Sequence, residues 1–114
     1  MIRRGEIWVA NLNPNKGSEV GKIRPVVVLQ VDELTVTGLG TIIAAPLTTQ
    51  LRPAFEPLRV KISARDRLEK ECHIMVEQTR AFDRSRFGEG PLTSLTPHEM
   101  AAVEHSLKGV LGLL

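Results

Sequence analysis

The fold of this chain is decided by the stretch Gly17-Ser18-Glu19-Val20-Gly21-Lys22-Ile23-Arg24-Pro25-Val26-Val27-Val28-Leu29, which begins as a loop and ends as an apolar run. The run has no polar gap, as in a strand covered on both faces. Pro25 restricts Arg24 to extended angles and cannot donate a ladder hydrogen bond, so the junction belongs at the start of a strand. A binding or catalytic arginine is often placed at the start of a buried strand. A solvated arginine that only keeps an apolar strand from aggregating would give the same sequence pattern.

The composition indicates one ordinary globular domain spanning residues 1–114. Hydrophobic residues make up 42% of the chain and charged residues 25%. Aromatic residues are only 4%, with no tyrosine, so a base-stacking platform of several aromatics is excluded. The net charge of +2 and the pI near 9.0 tolerate a nucleic-acid partner without requiring one.

The cysteine and hydropathy patterns predict a protein of a reducing compartment. Cys72 is the single cysteine, which excludes an internal disulfide and a thiolate metal cluster, and we expect it to be a small buried residue. No apolar run reaches the roughly 18 residues of a membrane span, and no apolar region follows the basic N-terminus. We therefore expect a cytoplasmic protein that has no contact with a membrane.

The alternation of apolar and polar residues predicts five short strands. Asp32–Gly40 should carry a turn or a short helical segment, and Ser63–Glu69 should form one or two helical turns with Ser63 as the N-cap. Pro46 is expected to end sheet pairing or to mark an edge. The predicted strands are Glu6–Leu12, roughly Arg24–Val31, Thr41–Ala45, Leu58–Ile62 and His73–Arg80.

The strand predicted at His73–Arg80 has two mixed faces. Its alternation would place Ile74, Val76, Gln78 and Arg80 on one face, with His73, Met75, Glu77 and Thr79 on the other. A site at the sheet surface would give such a mixture, and so would an edge strand.

The C-terminal stretch predicts a capped helix. Thr96-Pro97-His98-Glu99 is a capping box with proline at the first helical position, and Leu95 and Met100 have the spacing of a hydrophobic staple. Apolar residues then recur on one helical stripe from Met100 to Leu114. Five or so strands followed by one helix favour a small, strongly curved antiparallel sheet or barrel with an appended helix.

The residue types leave few kinds of chemistry open. No Gly-x-Ser-x-Gly turn, phosphate-binding glycine loop or grouping with metal-ligand spacing is present, so no metal or cofactor is expected. What remains is a polar set at predicted strand ends, which would suit cleavage of a phosphodiester by its neighbouring 2′-hydroxyl. That reaction needs only charge stabilisation and proton transfer. The set comprises Arg24, Thr48, Gln50, Glu77, Gln78 and Arg80.

Several motifs, in order along nearly the whole chain, resemble those of the MazF/PemK family of toxin endoribonucleases from type II toxin–antitoxin modules. The motifs are Arg4-Gly5-Glu6-Ile7-Trp8, Asn13-Pro14 with Lys16-Gly17-Ser18-Glu19, Arg24-Pro25-Val26-Val27-Val28, Pro46-Leu47-Thr48-Thr49-Gln50, Glu77-Gln78-Thr79-Arg80 and the Leu-Gly-Leu at Leu111 to Leu113.

The resemblance implies a mainly β fold, an SH3-like antiparallel β-barrel with short helices and a C-terminal helix, assembled as a homodimer. It implies cleavage of single-stranded RNA, usually mRNA, without a metal, leaving 2′,3′-cyclic phosphate and 5′-hydroxyl ends. The family's catalytic pair falls on Arg24 and Thr48. Because an arginine is an awkward acid or base, Glu19 or Glu77 could share the proton transfer.

The resemblance also implies the partners of the protein. A MazE-like antitoxin should cover the groove with an acidic, partly disordered segment, and any operator DNA would be contacted only through that antitoxin. The loops Asn13–Gly21 and Leu51–Pro57 would set the cleavage sequence. RNA contacts are expected from Lys16, Ser18, Lys22, Thr49, Gln50, Gln78 and Arg80.

The chain departs from the family pattern at a few positions, and two other functions stay open. Val20 stands where glutamine is frequent, Ser18 where some members have histidine, and Met75 where some have arginine. A gyrase poison of the same fold would use a C-terminal tryptophan, whereas the only tryptophan is Trp8, which we expect in the core. A non-catalytic SH3-like module would bind proline-rich ligands on exposed aromatics, which are scarce here.

Overall fold

The computed structural model describes residues 1–19 and 21–114, so Val20, one of the departures noted above, lies outside the described residues. The described residues form seven strands and two α-helices, α1 (Asp32–Thr35) and α2 (Pro97–Val110). The strands are β1 (Glu6–Asn11), β2 (Ile23–Val28), β3 (Thr41–Thr48), β4 (Val60–Ile62), β5 (Cys72–Ile74), β6 (Arg80–Asp83) and β7 (Thr93–Ser94).

The strands form one antiparallel sheet that curls into a half-barrel. Its order is β4-β5-β3-β2-β1-β7, and β6 also pairs with β3. Strand β2 therefore lies in the middle, between β1 and β3, which explains why its valines at positions 26–28 are fully buried. The predicted mainly β fold with a C-terminal helix is confirmed.

Each face of the sheet covers its own apolar cluster. The larger one includes Ile7, Val27, Leu47 and Ile74, and helix α2 covers it with Val103. The smaller one includes Ala10, Val26, Ala44 and Phe82 on the opposite side. Because side chains alternate along a strand, Arg24, two residues before Val26, belongs to the face of the smaller cluster.

Helix α2 begins as the sequence predicts. Thr96 Oγ1 accepts from the backbone N–H of Glu99 at 3.1 Å, and the Glu99 carboxylate accepts from the N–H of Thr96 at 2.9 Å. Leu95 and Met100, the predicted staple, both pack against the larger cluster. Among the described residues no helix has the length and hydropathy to cross a membrane.

The prediction that Pro46 ends pairing or marks an edge is wrong. Pro46 lies inside β3 and pairs with Val26 of β2. On the other side of β3, pairing with β6 ends at Ala44 and pairing with β5 begins at Leu47. Proline is tolerated because its missing N–H falls in the gap between these two partners, while its carbonyl accepts from the N–H of Met75 at 2.8 Å.

The single strand predicted at His73–Arg80 is also wrong. Strand β5 ends at Ile74, a 3₁₀ turn spans Val76–Gln78, and β6 begins at Arg80. The turn is closed by the N–H of Thr79 donating to the carbonyl of Val76 at 3.1 Å. The turn breaks the two-residue period, so Glu77 and Gln78 do not lie on the predicted faces.

Three further boundaries differ from prediction. The segment Ser63–Glu69 forms a tight turn closed by a bridge between Arg65 and Leu68 instead of a helix, because Asp66 adopts a left-handed φ of 51°. Strand β2 ends at Val28, since the N–H groups of Leu29 and Gln30 both donate to the carbonyl of Ile43. The two-residue strand β7 was not predicted, because so short a run carries no periodicity.

Candidate active site

Arg24 and Thr48 lie at the same end of the central strand pair, just beyond its last paired residues. Strand β2 pairs with β3 with Val26 opposite Pro46. Continuing this antiparallel register by two residues puts Arg24 opposite Thr48, so the two side chains share one face of the sheet. The curvature of the sheet and the pairing of β2 with β3 therefore bring together residues that are 24 positions apart.

The Arg24 side chain is fixed by backbone carbonyls. Its Nε donates to the carbonyl of Gly21 at 2.9 Å, and its Nη1 points at the carbonyl of Leu47 at a long 3.5 Å. The residue is half-buried. A guanidinium has five N–H groups in a planar fork, so donors remain for a phosphate oxygen after these two contacts.

The loop before β2 closes tightly over Gly21. A Cβ atom at this position would lie 2.5 Å from Oδ1 of Asn15 and 2.9 Å from Oδ1 of Asn13. The same Asn13 oxygen accepts the N–H of Lys22 at 2.8 Å, and Lys22 has a left-handed φ of 73°. A side chain at position 21 would therefore displace the Asn15 and Asn13 amides, whereas the glycine leaves them in place and its carbonyl accepts from Arg24.

Thr48 keeps its hydroxyl proton available for a ligand. Its Oγ1 accepts from the backbone N–H of Gln50 at 3.1 Å, which fixes the oxygen and directs the proton elsewhere. The side chain is only 8% exposed, so a hydrogen bond to a developing negative charge would form in a poorly solvated position.

Glu19 and Arg80 connect the loop to strand β6. Oε2 of Glu19 lies 3.7 Å from Nη1 of Arg80, and the carboxylate also accepts the N–H of Lys16 at 3.0 Å. The Arg80 guanidinium lies 4.8 Å from the ring centroid of Phe82. The ion pair is long and its partners are partly exposed, so it holds Glu19 only loosely.

The Glu77 carboxylate is occupied by Arg59. It accepts two hydrogen bonds from Nε of Arg59, at 3.1 and 3.3 Å, and forms an ion pair with Nη2 of the same arginine. Both side chains are largely buried. A carboxylate held by a guanidinium in this way forms a charge-assisted ion pair, whereas the Glu19 carboxylate is 48% exposed.

The other residues predicted to contact RNA fall into two groups along the chain. The first lies on the loop before β2 and the second follows β3, and in both groups the side chains are exposed. Gln78 lies in the 3₁₀ turn and is half-buried. The exposed residues are Lys16, Ser18 and Lys22 in the first group and Thr49 and Gln50 in the second.

Trp8 and Cys72 were both expected to have structural roles in the core. Trp8 is half-buried and its indole N–H donates to Glu6 at 3.1 Å, so it is only partly a core residue. Cys72 is 2% exposed, and desolvation together with the nearby Glu71 raises the pKa of its thiol. A raised pKa suppresses the reactive thiolate, which fits the expected structural role.

Three residues that support the site were not among those predicted. Arg59 holds Glu77, Arg86 donates to the carbonyls of Asn11 and Asn13 at the start of the loop, and His73 contacts the segment after Thr48. His73 alone had a signal in the sequence, as a polar residue beside apolar ones in a predicted strand. The two arginines act through contacts between distant elements, which no local pattern encodes.

The site offers charge stabilisation and hydrogen-bond donation without a ready set of metal ligands. Within the described residues no three histidine, cysteine or acidic side chains are grouped so that they could hold an ion. A fixed guanidinium and a poorly solvated hydroxyl on one sheet face, with an exposed carboxylate on the adjacent loop, can bind a phosphate group and move a proton.

The fold and this arrangement define the class of protein. Residues 3–111 match the family model described as "PemK-like, MazF-like toxin of type II toxin-antitoxin system". The chain belongs to this family of toxins.

Solved structures share the fold over nearly the whole chain. MazF from Deinococcus radiodurans superposes with a TM-score of 0.83 at 25% identity, covering 97% of this chain and 96% of that one. A MazE–MazF complex from the same organism gives 0.78 at 23% identity, covering 99% and 98%. An endoribonuclease in complex with its cognate antitoxin, from a mycobacterial species, gives 0.78 at 19%, covering 100% and 98%.

Proposed function

We propose that this toxin is a metal-independent endoribonuclease that cuts single-stranded RNA, with mRNA as its cellular substrate, and leaves 2′,3′-cyclic phosphate and 5′-hydroxyl ends. The observation that carries the proposal is the placement of Arg24 and Thr48 at the same end of β2 and β3, where Nη1 of Arg24 lies 3.5 Å from the carbonyl of Leu47, in a chain that belongs to a family of toxins. A similar protein, from a mycobacterial species, is itself named an endoribonuclease.

The proposed chemistry follows from what the two side chains can donate. The 2′-hydroxyl attacks the adjacent phosphorus, and negative charge builds on the non-bridging oxygens. Arg24 neutralises this charge with the free part of its fork, and Thr48 donates its hydroxyl proton to one of the same oxygens. Fixed donors of this kind need no reorganisation during the reaction, which is how they lower its barrier.

Glu19 is the better candidate for the proton-transfer group. Glu19 is exposed on the loop that leads to Arg24, whereas Glu77 is largely buried in an ion pair with Arg59. Glu19→Gln should lower kcat by about 100-fold, in the range of general acid–base catalysis, and remove one limb of the pH–rate profile. Glu77→Gln should instead lower the thermal midpoint of unfolding. The reverse pattern would assign the proton transfer to Glu77.

A second copy of this chain and an antitoxin are the proposed protein partners. A groove between β3, α1 and the end of α2 exposes a patch of apolar side chains, each at least 42% exposed, which a second copy would cover. We call Val31, Leu34, Ile43, Val110 and Leu111 the apolar patch. A MazE-like antitoxin would cover the basic side chains around Arg24 with an acidic segment, since opposite charges attract; the similar MazF of Deinococcus radiodurans is found in complex with MazE.

The test is RNA cleavage by purified protein in excess EDTA, followed by mass analysis of the ends. Arg24→Ala and Thr48→Ala are measured beside the wild type, with Thr37→Ala as a matched surface control. We expect cyclic phosphate ends from the wild type and the control, and at least about 100-fold slower cleavage by the two site variants.

Two results would contradict the proposal. If folded wild-type protein leaves a long mixed-sequence RNA intact, the enzyme interpretation is wrong and a non-catalytic binding module or gyrase poison of the same fold becomes the better hypothesis. If cleavage survives both substitutions, Arg24 and Thr48 are not the catalytic pair. If the wild type does cleave the RNA, the cut positions supply its sequence preference.

A further inference from the structure

His73 is a completely buried histidine beside the candidate catalytic threonine. It lies in β5, directly opposite Thr48 of β3, and has no exposed surface. Both of its ring nitrogens have partners. The backbone N–H of Arg52 lies 3.2 Å from Nδ1, and Oε2 of Glu56 lies 2.8 Å from Nε2.

These two contacts fix the tautomer of the ring. A backbone N–H can only donate, so Nδ1 must carry the lone pair that accepts it. The proton of a neutral imidazole then resides on Nε2 and is donated to the Glu56 carboxylate. The ring therefore holds two points of the chain that are four residues apart, with a different atom for each.

Both contacts end on one segment, residues 49–56, which directly follows Thr48. All of its residues are exposed, so it has little apolar packing of its own. Some of its hydrogen bonds are local, to Thr48 and Arg59 at its ends. Among the described residues, the hydrogen bonds that tie the 49–56 segment to a more distant part of the fold are the two made by His73.

The 49–56 segment carries groups suited to an RNA strand. Gln50 is a predicted RNA contact, and the exposed Arg52 side chain, whose Nη2 lies 3.5 Å from Oε1 of Gln50, adds a positive charge. A segment that is already ordered when RNA arrives saves the entropy of ordering it on binding. Its position therefore affects how tightly substrate binds more than how fast the bound substrate reacts.

We propose that His73 is a positioning residue that holds the 49–56 segment, with Gln50 and Arg52, in place to bind the RNA strand next to Thr48. The inference rests on the proposed ribonuclease function. His73 itself has no surface to offer a substrate, so it acts through the backbone of Arg52 and the side chain of Glu56.

Three variants separate the two contacts. His73→Leu fills the same buried position of β5 with an apolar side chain of similar size and removes both hydrogen bonds. His73→Asn retains an acceptor near the position of Nδ1, which can still accept the N–H of Arg52. Glu56→Ala changes an exposed residue outside the core and removes the Nε2 contact alone. Glu33→Ala, another exposed carboxylate, is the matched control.

Two readouts are measured on each full-length variant, namely hydrogen exchange of the Arg52 amide by NMR and the steady-state KM and kcat for RNA cleavage. For His73→Leu we expect exchange at least about tenfold faster and KM raised about tenfold, with kcat within about twofold. Glu56→Ala should show a smaller rise in KM, and His73→Asn should recover part of the Arg52 protection and part of the KM.

The proposal is overturned if His73→Leu speeds Arg52 exchange but leaves KM unchanged, or if only kcat falls. If His73→Leu does not fold, Glu56→Ala decides, and a wild-type KM there overturns the proposal. Failure of the ribonuclease function itself looks different. The wild type would then leave RNA intact, while Arg52 exchange would still depend on His73, and the proposed RNA contact would be withdrawn with the activity.

Discussion

Arg24 is a directional group because a backbone carbonyl holds its Nε–H and so orients the guanidinium. The Gly21 carbonyl accepts from Nε at 2.9 Å, so the plane of the fork is fixed relative to β2. A planar fork can bind two phosphate oxygens at once, whereas an ammonium group is a compact point charge on a flexible stem.

We therefore expect Arg24→Lys to lose most activity although it keeps the charge. The lysine cannot bond the Gly21 carbonyl and still present two donors to the phosphate, so kcat should fall by about 100-fold while the thermal midpoint changes little. Cleavage kinetics and a melting curve of the same sample measure both effects. A lysine variant with near-normal kcat would mean that only the charge matters.

Gly90 is a second residue whose identity is set by a close neighbour. A Cβ there would lie 2.4 Å from Cδ2 and 2.7 Å from Cγ of Trp8, so the half-buried indole would have to move. Gly90→Ala should lower the free energy of unfolding by about 1–3 kcal/mol, measured by urea denaturation. Gly40→Ala is the control, since nothing lies within 4 Å of its added Cβ, and equal losses in both variants would remove the indole explanation.

Among the secondary-structure elements, helix α2 combines a local cap and a tertiary ion pair at its N-terminus. The Glu99 carboxylate closes the capping box with Thr96 and also accepts from Arg65 of the preceding tight turn, with Nη1 at 2.8 Å and Nη2 at 2.6 Å. Partial burial alone would raise the pKa of Glu99, but hydrogen bonds from Arg65 and the Thr96 N–H outweigh it. The pKa of the carboxyl therefore lies below its ordinary value of 4.5.

This pKa shift predicts a specific acid sensitivity. A carboxyl with a lowered folded-state pKa stabilises the fold fully above its unfolded pKa and loses that contribution as the pH falls through the folded value. Glu99→Gln should thus be less stable than wild type near pH 6, and the difference should shrink as the pH falls below the ordinary carboxyl value of 4.5. Melting curves across this range test it. A constant difference between the two at all pH values would contradict the linkage.

At the scale of the whole molecule, the apolar patch is a group of apolar side chains that the described part of the chain leaves uncovered. Ile43 of β3 alternates with Ala45 and Leu47 and so lies on the face of the sheet that carries the larger cluster, and the C-terminal end of α2 lines the same groove. Its five side chains come from β3 and from α1 and α2 with one flanking residue each, so the patch is a product of tertiary structure. A patch of this kind marks an interface more often than it marks an ordinary surface.

Ile43→Lys should convert the proposed dimer into a monomer. Ile43 is 42% exposed at the patch, and a buried lysine opposite a second copy would be unpaired. Analytical ultracentrifugation at tens of micromolar protein measures the change. Val36→Lys is the control, because Val36 is 63% exposed but lies outside the patch, and should leave the dimer intact. A wild type that sediments as a monomer would refute the proposed dimer itself.

Local sequence was enough to predict the elements that are stabilised by interactions between residues close together in the chain. The buried β2 run followed from three adjacent valines, and the start of α2 followed from Thr96 and Glu99, because capping and alternation act within a few residues. The boundaries that failed had a distant cause. Pro46 could remain inside β3 only because two other strands leave a gap beside it, and no local propensity reports on that gap.

The candidate site divides in the same way. The sequence by itself determined which residues could do the chemistry, since Arg24 and Thr48 stand in motifs resembling those of a known family, and their roles are still proposals. Only the tertiary structure decided that they lie at the same end of β2 and β3, that Glu77 is bound to Arg59 while Glu19 stays exposed, and that His73 holds the segment after Thr48. The physical reason is that hydrogen bonds and ion pairs between distant segments depend on strand register and curvature, which the whole chain sets together.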